Sequence, residues 1–175
     1  MRICFAGKMR AGKDTAANYL ITKYGGGTFK FADPLYEMQQ VIYKIAKLPY
    51  NTDTKDRTLL QFLGTDWGRK TIDPNIWINV MDLRLASLKF SKENIFITDA
   101  RFPNEIELLE KYNFKIVQIQ CDEHIRIQRG ATNLTHESET ALDNKEYKFV
   151  IENNNSLSYF LEQVGKFYAE SQRNI

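Results

Sequence analysis

Residues Gly7-Lys8-Met9-Arg10-Ala11-Gly12-Lys13-Asp14-Thr15 carry the spacing G-x-x-x-x-G-K, directly after the apolar run Ile3-Cys4-Phe5-Ala6. A strand, a glycine-bounded turn and a helix opening at Lys13 make this a phosphate-binding loop. Gly7 and Gly12 allow the backbone to curl, so that the N–H groups of Arg10, Ala11, Gly12 and Lys13 converge on an anion. The helix N-terminus adds partial positive charge, and Lys13 supplies a mobile cation for the β- and γ-phosphates of a nucleotide such as ATP. The residue after the lysine is usually Ser or Thr, whose hydroxyl ligates Mg²⁺. Here it is Asp14, with Thr15 behind it. A carboxylate can hold Mg²⁺ directly or through water, or serve only as a first-turn acid that complements the helix dipole. Both readings of Asp14 stay open, and Thr15 can donate its hydroxyl to an α-phosphate oxygen.

Two further groups could act on phosphates. The run Asn94-Ile95-Phe96-Ile97-Thr98-Asp99-Ala100-Arg101 is an apolar strand that ends in an acid. Ligands of parallel α/β sheets bind at the carboxyl ends of strands, so Asp99 could orient Mg²⁺ or accept a hydrogen bond from substrate, and Arg101 could grip a phosphate. The alternative is a strand-end acid that caps the next helix with Arg101 as its ion-pair partner. Arg126 and Arg129 are three residues apart on a short helical stretch. They precede a polar segment containing Thr135-His136-Glu137-Ser138-Glu139. Guanidinium groups at the base of a polar lid suit phosphoryl transfer, because charge spreads over three oxygens in its transition state. A solvated helix face is the plainer reading of the pair. Around Leu60-Gln61-Phe62-Leu63-Gly64-Thr65-Asp66-Trp67-Gly68-Arg69 and Trp77, an aromatic could stack on a base and an arginine could bind a monophosphate. Core packing is the expectation for most of these aromatics, and Gln61, Arg69 and Trp77 are the candidates.

The elements that must hold these groups follow an alternation of apolar runs and helical periodicity, which predicts an α/β fold with a parallel sheet. Strands are expected over 2–6, 28–32, 94–98, 115–121 and 149–152. Helices are expected from Lys13 to about Tyr24, after Asp33-Pro34, over 57–70, 75–90 and 104–112, from Asp122 through Arg129, and from Ser156 to near Glu170. Gly25-Gly26-Gly27 ends the first, Pro34 and Pro103 open others, and Asp122 and Ser156 act as caps. Residues 130–145 are polar and aperiodic, as a loop or lid would be. The 175 residues suffice for one domain with a sizeable core, 43% of them are hydrophobic, and 24 basic against 22 acidic residues give a net charge of +2. That balance argues for no nucleic-acid-binding surface. Cys4 and Cys121 are expected to be buried thiols of a reducing compartment. His124 is expected on the surface and His136 in the lid. With no leader or spanning segment, an intracellular, cytoplasmic protein is expected, without a membrane partner.

Taken together, these motifs resemble the bacteriophage deoxynucleoside monophosphate kinases. The likeness rests on Gly12-Lys13-Asp14-Thr15, Phe31-Ala32-Asp33-Pro34-Leu35, Leu63-Gly64-Thr65-Asp66 with Arg69, Thr98 to Glu105, and His136-Glu137-Ser138-Glu139. A weaker likeness is to animal phosphomevalonate kinases, through the Gly-Lys-Asp loop, the paired arginines before Gly130, the Glu-Ser-Glu lid and Val150-Ile151-Glu152-Asn153. The resemblance implies one P-loop kinase domain over 1–175, a three-layer α/β/α sandwich of about five parallel strands. An acceptor-binding helical region would span about 33–90, and a lid about 130–143. It implies transfer from ATP, with Mg²⁺, to a deoxynucleoside monophosphate, a small-molecule partner, and is compatible with a homodimer. The loop residues Gly7 and Arg10 to Thr15, with Asn153 of an adenine pocket at 151–156, would hold ATP. Lys13, Arg126 and Arg129 would act on the transferring group. Asp33, Gln61, Arg69, Trp77, Asp99, Arg101 and Glu137 would meet the acceptor, with Asp14 and Asp99 at the metal. The rival readings are a kinase for another small phosphorylated acceptor, such as phosphomevalonate, and a nucleotide-binding switch or ATPase module. Aromatics near Trp67 and Trp77 lean toward a base, and two lid arginines toward a transferase that excludes water.

Overall fold

The computed structural model describes residues 1–51, 55–88, 91–132 and 134–173. Two compact units are present, one formed by Met1–Phe29 with Phe90–Ile175 and the other by Lys30–Lys89.

The first unit is built on a five-stranded parallel sheet: β1 (Arg2–Ala6), β2 (Gly27–Phe29), β3 (Ile95–Ile97), β4 (Lys115–Gln120) and β5 (Phe149–Glu152), in the order β2-β3-β1-β4-β5. Strands covered on both faces read as continuous apolar runs, which is why Ile3-Cys4-Phe5-Ala6 and Ile95-Phe96-Ile97 are legible. Their side chains alternate. Ile3, Phe5, Phe96, Val117, Ile119 and Ile151 form one cluster with Ala16, Ala17 and Leu20 of α1 (Lys13–Tyr24) and Phe160, Val164 and Tyr168 of the C-terminal helix, Leu157–Arg173. The helix Pro103–Lys111 packs against β4, completing an α/β sandwich. Ser156 begins the last helix as expected, its Oγ accepting the Tyr159 N–H at 3.3 Å.

The second unit is helical: α2 (Asp33–Ile45), α3 (Arg57–Gln61), a π-helical segment Phe62–Ile72, and α4 (Ile76–Ser87). The remaining helices of the first unit are α5 (Pro103–Lys111), α6 (Glu123–Gln128), the single turn α7 (Glu137–Thr140) and α8 (Leu157–Arg173).

Several expectations are corrected. The strand expected at 28–32 lies at Gly27–Phe29, because the Asp33 carboxylate accepts the Lys30 N–H at 3.1 Å and turns the chain before Phe31. The helix expected over 57–70 changes to π-helical winding at Phe62. The helix expected over 75–90 is described to Ser87, and residues 89 and 90 lie outside the described residues. Asp122 precedes α6, but its carboxylate accepts from the Asn154 amide rather than from the helix amides. Cys4 is fully buried, whereas Cys121 is only partly so. His124 is exposed, and His136 precedes α7, where its Nδ1 accepts the Ser138 N–H.

Candidate active site

The loop between β1 and α1 takes its shape from three left-handed residues, Gly7 (φ 135°), Arg10 (φ 63°) and Gly12 (φ 111°). A Cβ on Gly7 would stand 2.5 Å from the Ile119 carbonyl oxygen, and one on Gly12 would run into the Asn153 amide. Backbone is thus brought where no side chain fits. Asn153, just past β5, donates from Nδ2 to the Ala11 carbonyl at 2.7 Å, and its own N–H donates to the Gln120 carbonyl. The expected adenine-pocket residue is therefore a clamp on the loop. It also lines a cavity of about 460 Å³ with Arg10, Gly12, Lys13, Asp14, Thr15, Arg129 and Leu157.

Lys13 is only 6% exposed, and its ammonium donates to the Gly7 and Lys8 carbonyls at 2.7 and 2.8 Å. Burial, reinforced by the Arg101 charge, pulls its pKa down to about 7, against the opposing pull of Glu139, Asp14 and Asp99. An ammonium this poorly solvated gains from phosphate oxygens brought beside it. Asp14 is exposed at the same cavity, and its Oδ1 accepts the Thr98 hydroxyl at 2.7 Å. β3 lies next to β1, Asp99 follows it two residues past its end, and its charge is felt at Lys13.

A second cavity, of about 390 Å³, opens behind the loop, with Gly7, Lys8, Arg101, Gln120, Arg126 and Glu139 among its lining residues. Arg126 is 4% exposed and donates from Nε to the Cys121 carbonyl at 3.3 Å. Its Nη1 has no hydrogen-bond partner among the described residues. The two arginines expected to act as a pair line different cavities. Arg129, beyond the end of α6, donates to Cys121 Sγ and to the Asn153 carbonyl.

The 130–143 segment meets the loop through Glu139, whose carboxylate accepts the Met9 N–H at 2.8 Å and pairs with the Arg101 guanidinium at 2.7 Å. Asp143 pairs with Lys8 at 2.8 Å. Glu137, the expected acceptor contact, is exposed at the start of α7.

Residues 37–164 match the model of the deoxynucleotide monophosphate kinase family. The chain belongs to that family. A deoxynucleoside-5'-monophosphate kinase of Escherichia phage T5 is 38% identical over 64 residues, covering 37% of this chain and 25% of its own. The uncharacterized protein ORF77 of Ictalurid herpesvirus 1 (strain Auburn) is 34% identical, over 94% of this chain and 69% of its own. A gluconokinase of Sinorhizobium meliloti 1021 has the same fold, with a TM-score of 0.59 at 15% identity, covering 99% of this chain and 94% of that one. The protein is thus a phosphotransferase with the P-loop kinase fold.

The kinase's remaining candidates lie in its helical unit. Trp77 is 5% exposed, donates its indole N–H to the Gly64 carbonyl at 2.8 Å, and is packed by Gly68. It packs as core in the helical unit. Arg69 is buried and donates to the Pro74 carbonyl at 3.1 Å. Asp33 pairs with Arg84 at 2.6 Å, and Gln61 ends α3, half-buried. In the sheet unit, buried Glu105 accepts the N–H groups of Arg101 and Phe102 and thereby fixes the turn that presents Arg101. Sequence reasoning missed Thr98, Glu105 and Glu139 as supports of the loop. The partners of Thr98 and Glu139 are distant in sequence, those of Glu105 are near, and only the motif membership of all three hinted at a role.

Proposed function

We propose that this kinase transfers the γ-phosphoryl group of ATP to a deoxynucleoside monophosphate, giving the diphosphate and ADP. The observation that carries this reading is the buried Lys13 ammonium, turned onto its own loop carbonyls at the wall of a cavity of about 460 Å³ that the loop and Asn153 line. Triphosphate oxygens would take the place of those carbonyls, and the loop amides and the α1 N-terminus would meet the rest of the charge. Arg129 stands on the donor side of the loop and Arg126 on the other. In this reading the first holds ATP, and the second offers its unsatisfied Nη1 to charge that develops during transfer.

The residues fit Mg²⁺ as nucleotide sites hold it, through one or two carboxylates with phosphates and water completing the shell. Among the described residues no three His, Cys, Asp or Glu groups converge as an all-protein metal cage. The charges of Glu139, Asp14 and Asp99 all reach Lys13, and of these Asp14 and Asp99 are assigned to the ion. Mg²⁺ bound there would neutralise charge on the transferring phosphates. Arg101 is assigned to the acceptor.

A coupled ADP-release assay over deoxy- and ribonucleoside monophosphates and phosphomevalonate tests the proposal. Turnover with at least one deoxynucleoside monophosphate is expected, with none on phosphomevalonate and far slower hydrolysis when no acceptor is present. Hydrolysis without acceptor that matches the rate of transfer would favour an ATPase module instead.

A further inference from the structure

Thr98 directly follows β3, is 2% exposed, and donates its hydroxyl to Asp14 Oδ1 at 2.7 Å. In P-loop enzymes the hydroxyl that meets Mg²⁺ ordinarily stands on the helix, just after the lysine, and the acid stands on a strand. In this chain an acid, Asp14, stands after the lysine on α1, and the hydroxyl that meets it, Thr98, directly follows β3, the strand beside β1. We infer that Thr98 is a positioning residue for the metal-binding acid: it fixes the Asp14 carboxylate so that its charge faces the donor cavity. The inference rests on the reading of Asp14 as a Mg²⁺ ligand given above.

The chemistry supports it in three ways. Asp14 is exposed in the first turn of a helix, and the Thr98 bond favours one rotamer of its short side chain. A hydrogen bond to a carboxylate is charge-assisted, short and directional, and this one joins residues 84 apart in sequence. Thr98 is suited to anchor it because its β-branched side chain is stiff and is held in a buried position. A threonine hydroxyl buried to this degree needs a partner, and the one it has is the acid.

The test is ATP binding measured calorimetrically across a Mg²⁺ series and again in EDTA. The proteins are wild type, Thr98→Val, Thr98→Ser, Asp14→Ala and the double variant Asp14→Ala/Thr98→Val. Loss of groups that orient metal ligands lowers metal affinity by about 10–100-fold. Because phosphates share the ion here, T98V is expected to raise the Mg²⁺ midpoint about 10-fold, at the lower end of that range. Binding in EDTA should not change, T98S should behave as wild type, and the double variant should shift no further than D14A. A T98V midpoint equal to wild type beside a shifted D14A would overturn the positioning role alone. Equal loss of binding in EDTA would make Thr98 a packing residue of the loop. An unmoved midpoint in D14A would overturn the metal reading of Asp14 itself. If T98V does not fold, Thr98→Ala keeps the test, since it removes the hydroxyl and adds no bulk or charge. It should raise the Mg²⁺ midpoint as T98V does, and a T98A midpoint equal to wild type would overturn the inference.

Discussion

Arg10 holds φ at 63° between Gly7 and Gly12, a backbone region that costs an L side chain about 1–2 kcal/mol. Such strain persists where surrounding structure imposes it, often at functional sites. Arg10→Gly should therefore be at least about 1 kcal/mol more stable than Arg10→Ala, measured by urea unfolding. Both should raise the KM for ATP, since Arg10 lines the donor cavity. If the two variants melt together, the strain is absent. Lys13→Ala should abolish transfer and leave the circular dichroism spectrum unchanged, because a cation placed at transferring phosphates contributes several kcal/mol to the transition state alone, on the order of 3 kcal/mol or more. Near-normal turnover would remove the assignment of the loop. At this scale the sequence was most informative where partners are close along the chain. Gly7, Gly12 and Lys13 announce themselves by spacing. Thr98 and Glu139 do not, because Asp14 and Met9 are 84 and 130 residues away. Nothing local separates Glu137 from Glu139, although only the second is buried.

Arg126 in α6 and Arg129 just past its end line different cavities. Their substitutions should separate kinetically. Arg129→Ala is expected to raise the KM for ATP several-fold with a smaller change in kcat, and Arg126→Ala to lower kcat by about 100-fold or more, as loss of a transition-state donor does. Matching profiles for the two would return them to one site. The N-terminus of α3 offers a prediction with a pH signature. Asp56 accepts the Leu59 N–H at 3.0 Å and the Tyr43 hydroxyl at 2.9 Å, and these bonds hold its carboxyl below the usual carboxylate range, the backbone bond contributing most. A depressed carboxyl stabilises the fold above its unfolded pKa, and that stability is lost as pH falls through the folded value. Asp56→Ala should therefore cost about 1 kcal/mol at neutral pH and progressively less as pH falls below the ordinary carboxylate range. A penalty independent of pH would mean that the cap is not ionic. Apolar runs and glycine and proline punctuation made β1, β4, β5, α1 and α5 readable. The π-helical winding at Phe62–Ile72 was not, because its periodicity so nearly matches that of an ordinary helix over so few turns.

For the molecule as a whole, strand order was the missing information. Alternating strands and helices predict a parallel sheet, but which strand lies beside β1 depends on how the connections cross, and no single segment encodes that. The observed order places β1 between β3 and β4. Amides of these three strands, where Cys4, Phe5, Phe96, Ile97 and Val117 are fully buried, should exchange with deuterium only on global unfolding. Residues 137–143 should exchange faster, and slow sharply when an analogue joining adenosine to a deoxynucleoside through a phosphate chain is bound. Exchange in this segment that is insensitive to the analogue, while the phosphate loop is protected, would show that the segment does not close over substrate. The central place of β1 also bears on biogenesis. Ile3 and Cys4 pair with Phe96 and Ile97 on one side and with Lys115 and Ile116 on the other. During synthesis β1 thus has no ladder to join until Ile95–Ile97 has been made, and its second neighbour comes only with Lys115–Gln120. Sheet closure between such distant segments is slow. The apolar run at Ile3–Ala6 is therefore the stretch most in need of shielding during synthesis, and destabilising β4 should reduce soluble yield more than its effect on the finished fold would suggest.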